Sequence, residues 1–341
     1  MQTRSLLVQT LLRTGEMDEA IRIAEESVRI AEQNGSDALA DDAMYRLATT
    51  LLAVRPADAV ELLLRLIDRA RVRSDRAMEA RAYLSLGIAR MRTSDDMAGA
   101  DAFRAALTIA RDAQTLDVAA NASVNLGVIG LRGGDFEAAH EALQEALRLY
   151  TTLRNNAHRL VALYNLANLE RERGGAEESA RLYRETSALA ETLGAEDIAV
   201  GAHAGAGLAA LRLDLMPDAH AALDSAYQIF AGRMDWWFQG RELLESLTIR
   251  INAHAGRYDA ALARFRTAVD RLEPMDVYAA AWLVADCAAT LAERDPSVWD
   301  DVHRFGAHAT VKQFVPLAAR YTALRDMAER LPGVRFVAPT Q

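Results

Sequence analysis

The chain carries one cysteine, Cys287, and one lysine, Lys312, in 341 residues. A single cysteine excludes an intramolecular disulfide framework. A phosphate-cradling G-x-x-x-x-G-K-S/T loop needs its lysine, and Lys312 stands in Thr310-Val311-Lys312-Gln313, so that nucleotide loop is excluded as well. All seven prolines avoid the stretch from Ala57 to Met216. No apolar run approaches the ~18 residues that cross a bilayer. The opening MQTRSLLVQTLLRTGE has a short apolar stretch broken by Gln9 and no small-residue cleavage site, so no signal peptide is expected. These absences point to a cytoplasmic protein.

What is present favours helix. Alanine makes up about a fifth of the chain, and alanine has the best helix propensity while an interior proline costs ~3 kcal/mol. Apolar residues are 51% and charged residues 26%, with mean hydropathy near zero, the balance of a folded chain rather than a disordered one. The net charge of −9 argues against a surface that tracks a nucleic-acid backbone. Arg65, Arg69, Arg71, Arg73, Arg76 and Arg81 form a local basic patch, but Asp68, Asp75 and Glu79 interleave with it, as on a solvated helix end.

Internal repetition organises the chain. Asn125-Leu126-Gly127 is followed by Gly133-Gly134-Asp135-Phe136, then Ala139, Leu143, Ala146 and Leu147. Forty residues on come Asn165-Leu166-Ala167, Gly174-Gly175, Ser179, Tyr183 and Thr186; forty back come Ser85-Leu86-Gly87, Asp95-Asp96, Gly99, Phe103 and Ala106. The small residue of the second helix recurs at Ala20, Ala59, Gly99, Ala139, Ser179, Ala219 and Ala261. Each unit reads as a helical hairpin, because Ala139, Leu143, Ala146, Leu147 and Tyr150 have the i, i+4, i+7, i+8 spacing of one apolar stripe. Gly or Asp in the intervening turn ends one helix and caps the next.

The Leu-Gly/Ala pair, the Gly-rich turn and the Ala-x-x-x-Leu/Phe/Tyr-x-x-Ala run resemble the tetratricopeptide repeat over roughly residues 4–270. The period is 40 rather than the usual ~34, and the terminal proline is absent; HEAT and armadillo arrays have periods of ~40–47. The Leu-Gly and Ala…Phe…Ala positions favour the tetratricopeptide reading. The expected fold is all-α: an α-solenoid of antiparallel helical hairpins with about seven clear repeats at 1–274. A degenerate eighth hairpin and a C-terminal capping helix are expected in 275–341, the helix spanning about Gln313 to Leu331 with Pro316 in its first turn. The repeat style is also similar to the sensor arms of bacterial regulators of the maltose-activator and antibiotic-regulator type. At the other end Leu6, Leu7, Val8, Leu11 and Leu12 begin the first repeat directly. A partner surface, a further N-terminal domain or self-association is expected to cover that edge.

No catalytic constellation emerges. His140-Glu141 lacks the second histidine of H-E-x-x-H, and His303 and His308 are five residues apart, poor spacing for sharing a metal. Cys287 lies in an apolar helical stretch and reads as a buried small hydrophobe. Asp41-Asp42, Asp95-Asp96 and Asp300-Asp301 read as acids near helix starts. Gly201 to Gly207 follows no strand, so it reads as close helix packing rather than a dinucleotide fingerprint. No metal, cofactor or enzymatic activity is expected. Trp236, Trp237 and Phe238 are three adjacent aromatics that cannot all face one core, because helix neighbours diverge by ~100°; an aromatic interface and packing on the C-terminal region are the competing readings.

The groove is the expected site. With Leu126 as position 7 of a first helix, positions 3, 7 and 10 face the hairpin core, and positions 2, 5, 6, 9, 12 and 13 face the concave side. That side presents Arg81, Asn121, Asn125, Arg132, Tyr164, Asn165 and Asn168. An asparagine offers a donor and an acceptor, which suits an extended peptide backbone, and tetratricopeptide arrays with asparagine here use it so. The alternative is an amide bonded to its own scaffold. The functional expectation is a non-enzymatic scaffold binding a protein or peptide segment in its groove, with no membrane and no nucleic-acid partner through this chain. The alternative is the ligand-sensing arm of a bacterial transcriptional regulator.

Overall fold

The computed structural model describes residues 2–230 and 240–330, and every regular element among them is a helix. The helices follow in pairs: α1 (Gln2–Thr14) with α2 (Met17–Gln33), α3 (Asp37–Val54) with α4 (Pro56–Val72), α5 (Arg76–Arg92) with α6 (Asp96–Asp112), and α7 (Leu116–Gly133) with α8 (Phe136–Thr152). Then come α9 (Asn156–Arg173) with α10 (Ala176–Leu193), α11 (Glu196–Arg212) with α12 (Met216–Phe230), α13 (Arg241–His254) with α14 (Tyr258–Leu272), and α15 (Val277–Ala292) with α16 (Val298–Gly306). The short α17 (Ala309–Gln313) leads into α18 (Val315–Glu329), which has Pro316 in its first turn as expected.

The helices stop on a stricter schedule than the 40-residue period suggests. Ser74, Ser94, Gln114, Gly134, Arg154, Gly174, Gly194 and Asp214 all have φ between 53° and 91°, one every twenty residues. The next residue's N–H reaches the carbonyl five back: Asp75 to Ala70, Asp95 to Arg90, Thr115 to Ala110 and Asp135 to Gly130, each at 2.9 Å. This is the left-handed helix stop in which a terminal N–H satisfies an orphan carbonyl. Asp75, Asp95, Asp135 and Asn155 then accept the backbone N–H three residues on, capping the following helix. Hairpin turns and inter-hairpin links therefore use one device. The links escape notice in the sequence because Ser74, Gln114 and Arg154 are not glycine.

The small residue of each second helix lies where its hairpin crosses. Ala20, Ala59, Ala139, Ser179, Ala219 and Ala261 are all 0% exposed. Ser179 Oγ donates to the Ala167 carbonyl at 3.2 Å. In the third hairpin a Cβ on Gly87 would come within 2.5 Å of the Phe103 ring, so the close approach requires glycine there.

Contacts divide the chain into two compact units, 1–129 with 145–154, and 130–144 with 155–341. The first unit has a continuous core that includes Ala20, Met44, Leu63, Leu66, Ala82 and Leu86. Four arginines of its basic patch are paired internally. Asp41, 2% exposed, takes Arg69 Nε at 2.5 Å and Arg73 Nη1 at 2.9 Å. Glu79, also 2% exposed, takes Arg71 Nε at 2.8 Å and Arg76 Nη1 at 2.7 Å. Asp41 is thus a buried ion partner in the second turn of α3, not the end-of-helix acid that the sequence suggested; Asp95 does cap α6. Leu6 and Leu7 are exposed, while Val8 joins the core.

In the second unit α18 covers the last hairpin, with the Tyr321 hydroxyl donating to the Ala281 carbonyl at 2.8 Å. Cys287 is fully buried, burial pushes its thiol well above the usual range, and the thiol donates to Ser246 Oγ at 3.7 Å. It serves packing. Trp236, Trp237 and Phe238 lie outside the described residues.

The helix stop is directly testable. Gln114 is exposed and holds φ of 57° without glycine's freedom. Gln114→Gly is expected to stabilise the protein by a few tenths to ~1 kcal/mol, and Gly174→Ala to destabilise it by a similar amount, read by urea unfolding.

Candidate functional site

Three of the expected site residues lie in the first unit, and two of these are absorbed by the scaffold. Asn121 Nδ2 donates to the Asp117 carbonyl at 2.9 Å, and its Oδ1 accepts the Tyr150 hydroxyl at 2.9 Å. Asn125 Nδ2 donates to the Asn121 carbonyl at 2.8 Å. Arg81 differs. Its guanidinium lies 5.0 Å from the centre of the Tyr45 ring and makes no hydrogen bond or ion pair among the described residues. It lines a 430 Å³ cavity with Val8, Leu12, Tyr45 and Thr49.

The second unit holds the denser constellation, on one stripe of α9. Tyr164, Asn165, Asn168, Arg171 and Glu172 occupy positions 5, 6, 9, 12 and 13 of that helix. Tyr164 and Arg171 are 4% and 6% exposed, yet the Tyr164 hydroxyl and the Nε and Nη1 of Arg171 have no hydrogen-bond partner among the described residues. Asn165 is half-buried and makes no side-chain hydrogen bond among the described residues. Asn168 Oδ1 accepts the Tyr183 hydroxyl at 2.5 Å, and the Tyr183 and Tyr164 rings meet edge to face at 6.1 Å.

The C-terminal helices reach back to this stripe. Glu172 takes Arg171 Nη2 at 3.0 Å on one oxygen and Arg320 Nη2 at 3.0 Å on the other. Trp282 Nε1 donates to Glu172 at 3.1 Å, and its ring lies under the guanidinium of Arg171 at 4.4 Å. Nearby, Arg132 stacks over the Phe314 ring at 4.6 Å. Arg132 is therefore engaged by its own chain rather than facing an open groove. Tyr164, Asn165 and Asn168 all lie on α9, at the helical positions their spacing predicts. The sequence missed the partnership of Arg171 and Glu172 with Trp282 and Arg320, since nothing in the repeat register links residues 110 positions apart. The one available signal was Trp282, a bulky aromatic at position 3 where earlier repeats carry Ala82, Ala122, Ala162 and Ala202.

Burial pushes the Tyr183 hydroxyl up to about 12, and raises Tyr164 and Tyr278 well above the usual range. Burial disfavours the charge of Arg171, but Tyr183 and Glu172 beside it outweigh this and hold its proton more tightly than usual. Burial raises Glu242, in the first turn of α13, to about 7, although Arg171 works against the rise. Among the described residues no three His, Cys, Asp or Glu side chains are grouped so as to hold a metal ion, and no helix is long and apolar enough to cross a membrane.

Residues 104–157 match the tetratricopeptide repeat family model. No curated protein matches the sequence. Several solved structures share the fold. Aspartyl phosphate phosphatase F from Bacillus subtilis is similar with a TM-score of 0.63 at 14% identity, over 98% of this chain and 84% of that one. The apo form of the quorum sensor NprR from B. thuringiensis is similar with a TM-score of 0.61 at 15% identity, over 94% and 85%. The Rap conjugation gene regulator of the plasmid pLS20, in complex with a Phr peptide, is similar with a TM-score of 0.53 at 12% identity, over 95% and 96%. The chain is a tetratricopeptide-like array of helical hairpins.

Glu242 gives the site a pH signature. An acid raised from 4.5 to about 7 on folding leaves the unfolded chain to ionise first. Its contribution therefore becomes less favourable as pH rises from about 4.5 to 7, and is constant above. Glu242→Gln should remove this slope. Relative to wild type, the variant should gain roughly 1–3 kcal/mol between pH 4.5 and 7.5 in denaturant unfolding.

Proposed function

We propose that this tetratricopeptide-like array is a non-enzymatic binding scaffold whose concave stripe on α9 holds an extended peptide or protein segment. The observation that carries the proposal is the set of unused hydrogen-bonding groups on one helix face: the Tyr164 hydroxyl, the Asn165 amide, and Nε and Nη1 of Arg171. A buried donor without a partner costs ~1–3 kcal/mol, so such groups are uncommon and call for an occupant. A peptide backbone supplies alternating acceptors and donors at a spacing that an asparagine and a tyrosine can both address. A carboxylate on the segment gives Arg171 a charge-assisted contact.

The regulator of pLS20 that is similar in fold was solved with a peptide, and NprR is named a quorum sensor. Both support the reading of this chain as a peptide-responsive sensing arm in a regulatory protein. The likeness to a phosphatase is one of fold at 14% identity and brings no catalytic residue with it.

Short random peptides displayed against the full chain should yield binders enriched in acidic residues. Asn165→Ala should weaken the selected peptide by up to roughly ten-fold, because one hydrogen bond is worth ~0.5–1.5 kcal/mol. It should leave the melting temperature unchanged, since that amide makes no side-chain hydrogen bond among the described residues. Failure to select any peptide, or equal affinity for wild type and variant, overturns the assignment.

A further inference from the structure

A second cleft lies on the other side of the sixth hairpin, away from the concave stripe. The stripe of α11 at positions 4, 7 and 11 is His203, Ala206 and Ala210. One hairpin earlier the same positions on α9 are Leu163, Leu166 and Glu170, and Leu166 is only 4% exposed in its core place. The methyl groups of the sixth hairpin leave that volume empty. The result is an open cleft of 740 Å³ between α10 and α12, floored by α11.

Its chemistry is divided. Ala180, Ala206, Ala210, Ala222 and Leu213 give the floor, and Leu215, 45% exposed, stands at one side. Glu177, Glu191 and Asp218 stand at the rim against a single arginine, Arg184; the His203 ring is held by Glu191 at 2.6 Å. Along α10 the lining runs from Glu177 to Glu191, a span of about 21 Å at 1.5 Å per residue. That is the length of a four-turn helix. Parallel ridges of α10 and α12 with a furrow of small side chains between them form the groove into which a further helix packs.

We propose that this cleft is a docking site for an amphipathic helix of a partner protein, about four turns long, with an apolar stripe of large side chains flanked by Arg or Lys. The large side chains replace the bulk that Ala206 and Ala210 lack. The basic flanks meet the acidic rim, which sets the partner's sign and orientation. This surface is independent of the concave stripe: it uses the opposite face of the first-helix row and no residue of α9.

Two fluorescein-labelled 16-residue helical peptides test it, with one leucine stripe in common and either Lys/Arg or Glu flanks. Anisotropy titration of the full chain should show the basic peptide binding at least ten-fold tighter than the acidic one. Ala206→Leu restores the residue type of Leu86, Leu126 and Leu166, and should cut binding of the basic peptide ten-fold or more with the melting temperature retained. Ala188→Trp, at an exposed position of the cleft, should do the same and serves if the first variant folds poorly. Glu177→Gln with Asp218→Asn should narrow the gap between the two peptides. Equal affinity for both peptides, or undiminished binding in both filled variants, overturns the proposal.

Discussion

The left-handed residue that ends a helix every twenty residues is the constraint on which the rest depends. With one stop per twenty residues, each helix has nearly the same number of turns, so equivalent positions of successive helices come into register. Register makes a repeated bond available. Arg92 Nη1 reaches the Leu52 carbonyl at 2.5 Å, and Arg212 Nη1 reaches the Arg171 carbonyl at 2.8 Å. Both arginines stand at position 13, and each satisfies a carbonyl near the end of the preceding first helix, where intrahelical donors run out. Position 13 therefore ties hairpin to hairpin, and an arginine placed there belongs to the scaffold before it belongs to a ligand.

Glu172 shows what happens when that position carries the opposite sign. A carboxylate in place of the arginine cannot bond a carbonyl, and it draws Arg320 and Trp282 from the C-terminal helices instead. A buried ion group of this kind adds little net stability over an apolar one, yet losing one partner costs 3–5 kcal/mol. Its effect is to fix where α15 and α18 sit against α9. The C-terminal helices thus do more than cover the apolar end of the array, which is the general need of a solenoid. They bring a second arginine, Arg320, to the carboxylate that Arg171 of α9 already holds, beside the unused donors of Tyr164, Asn165 and Arg171. An acidic group on a bound segment would meet the same cations that Glu172 holds.

Legibility in the sequence followed the range of the interaction. The small residues from Ala20 to Ala261, the hairpin period and the capping aspartates are local or strictly periodic, and each stands where the register puts it. The links were harder to read, because serine, glutamine and arginine at positive φ carry no compositional mark. Among the site residues, helical angle placed Tyr164, Asn165 and Asn168 on one face of α9. Angle alone could not separate Asn165 from Asn125, whose amide folds back on the Asn121 carbonyl one turn away. Nor could it show that Arg132 meets Phe314, since that contact depends on how the C-terminal segment returns. Aspartates 41 and 42 were read as helix-start acids. The burial of Asp41 is set by Arg69 and Arg73 at the far end of α4, a tertiary fact.

The same first helix thus presents two stripes with opposite tolerances. Positions 5, 6, 9 and 12 face inward and accept polar residues, because a ligand or the returning chain can satisfy them. Position 7 faces the neighbouring second helices and carries apolar bulk in Leu86, Leu126 and Leu166, because only side chains can occupy that space at native packing density. A polar substitution on the inner stripe alters what is recognised while the array stands. A small residue on the outer stripe removes core volume, and the loss is tolerable only at a surface where the void opens to solvent or to another chain's side chains. In α11 the void does open, between α10 and α12. The alanines of that helix, which composition alone reads as simple helix propensity, are also what leaves the outer face of the array incomplete.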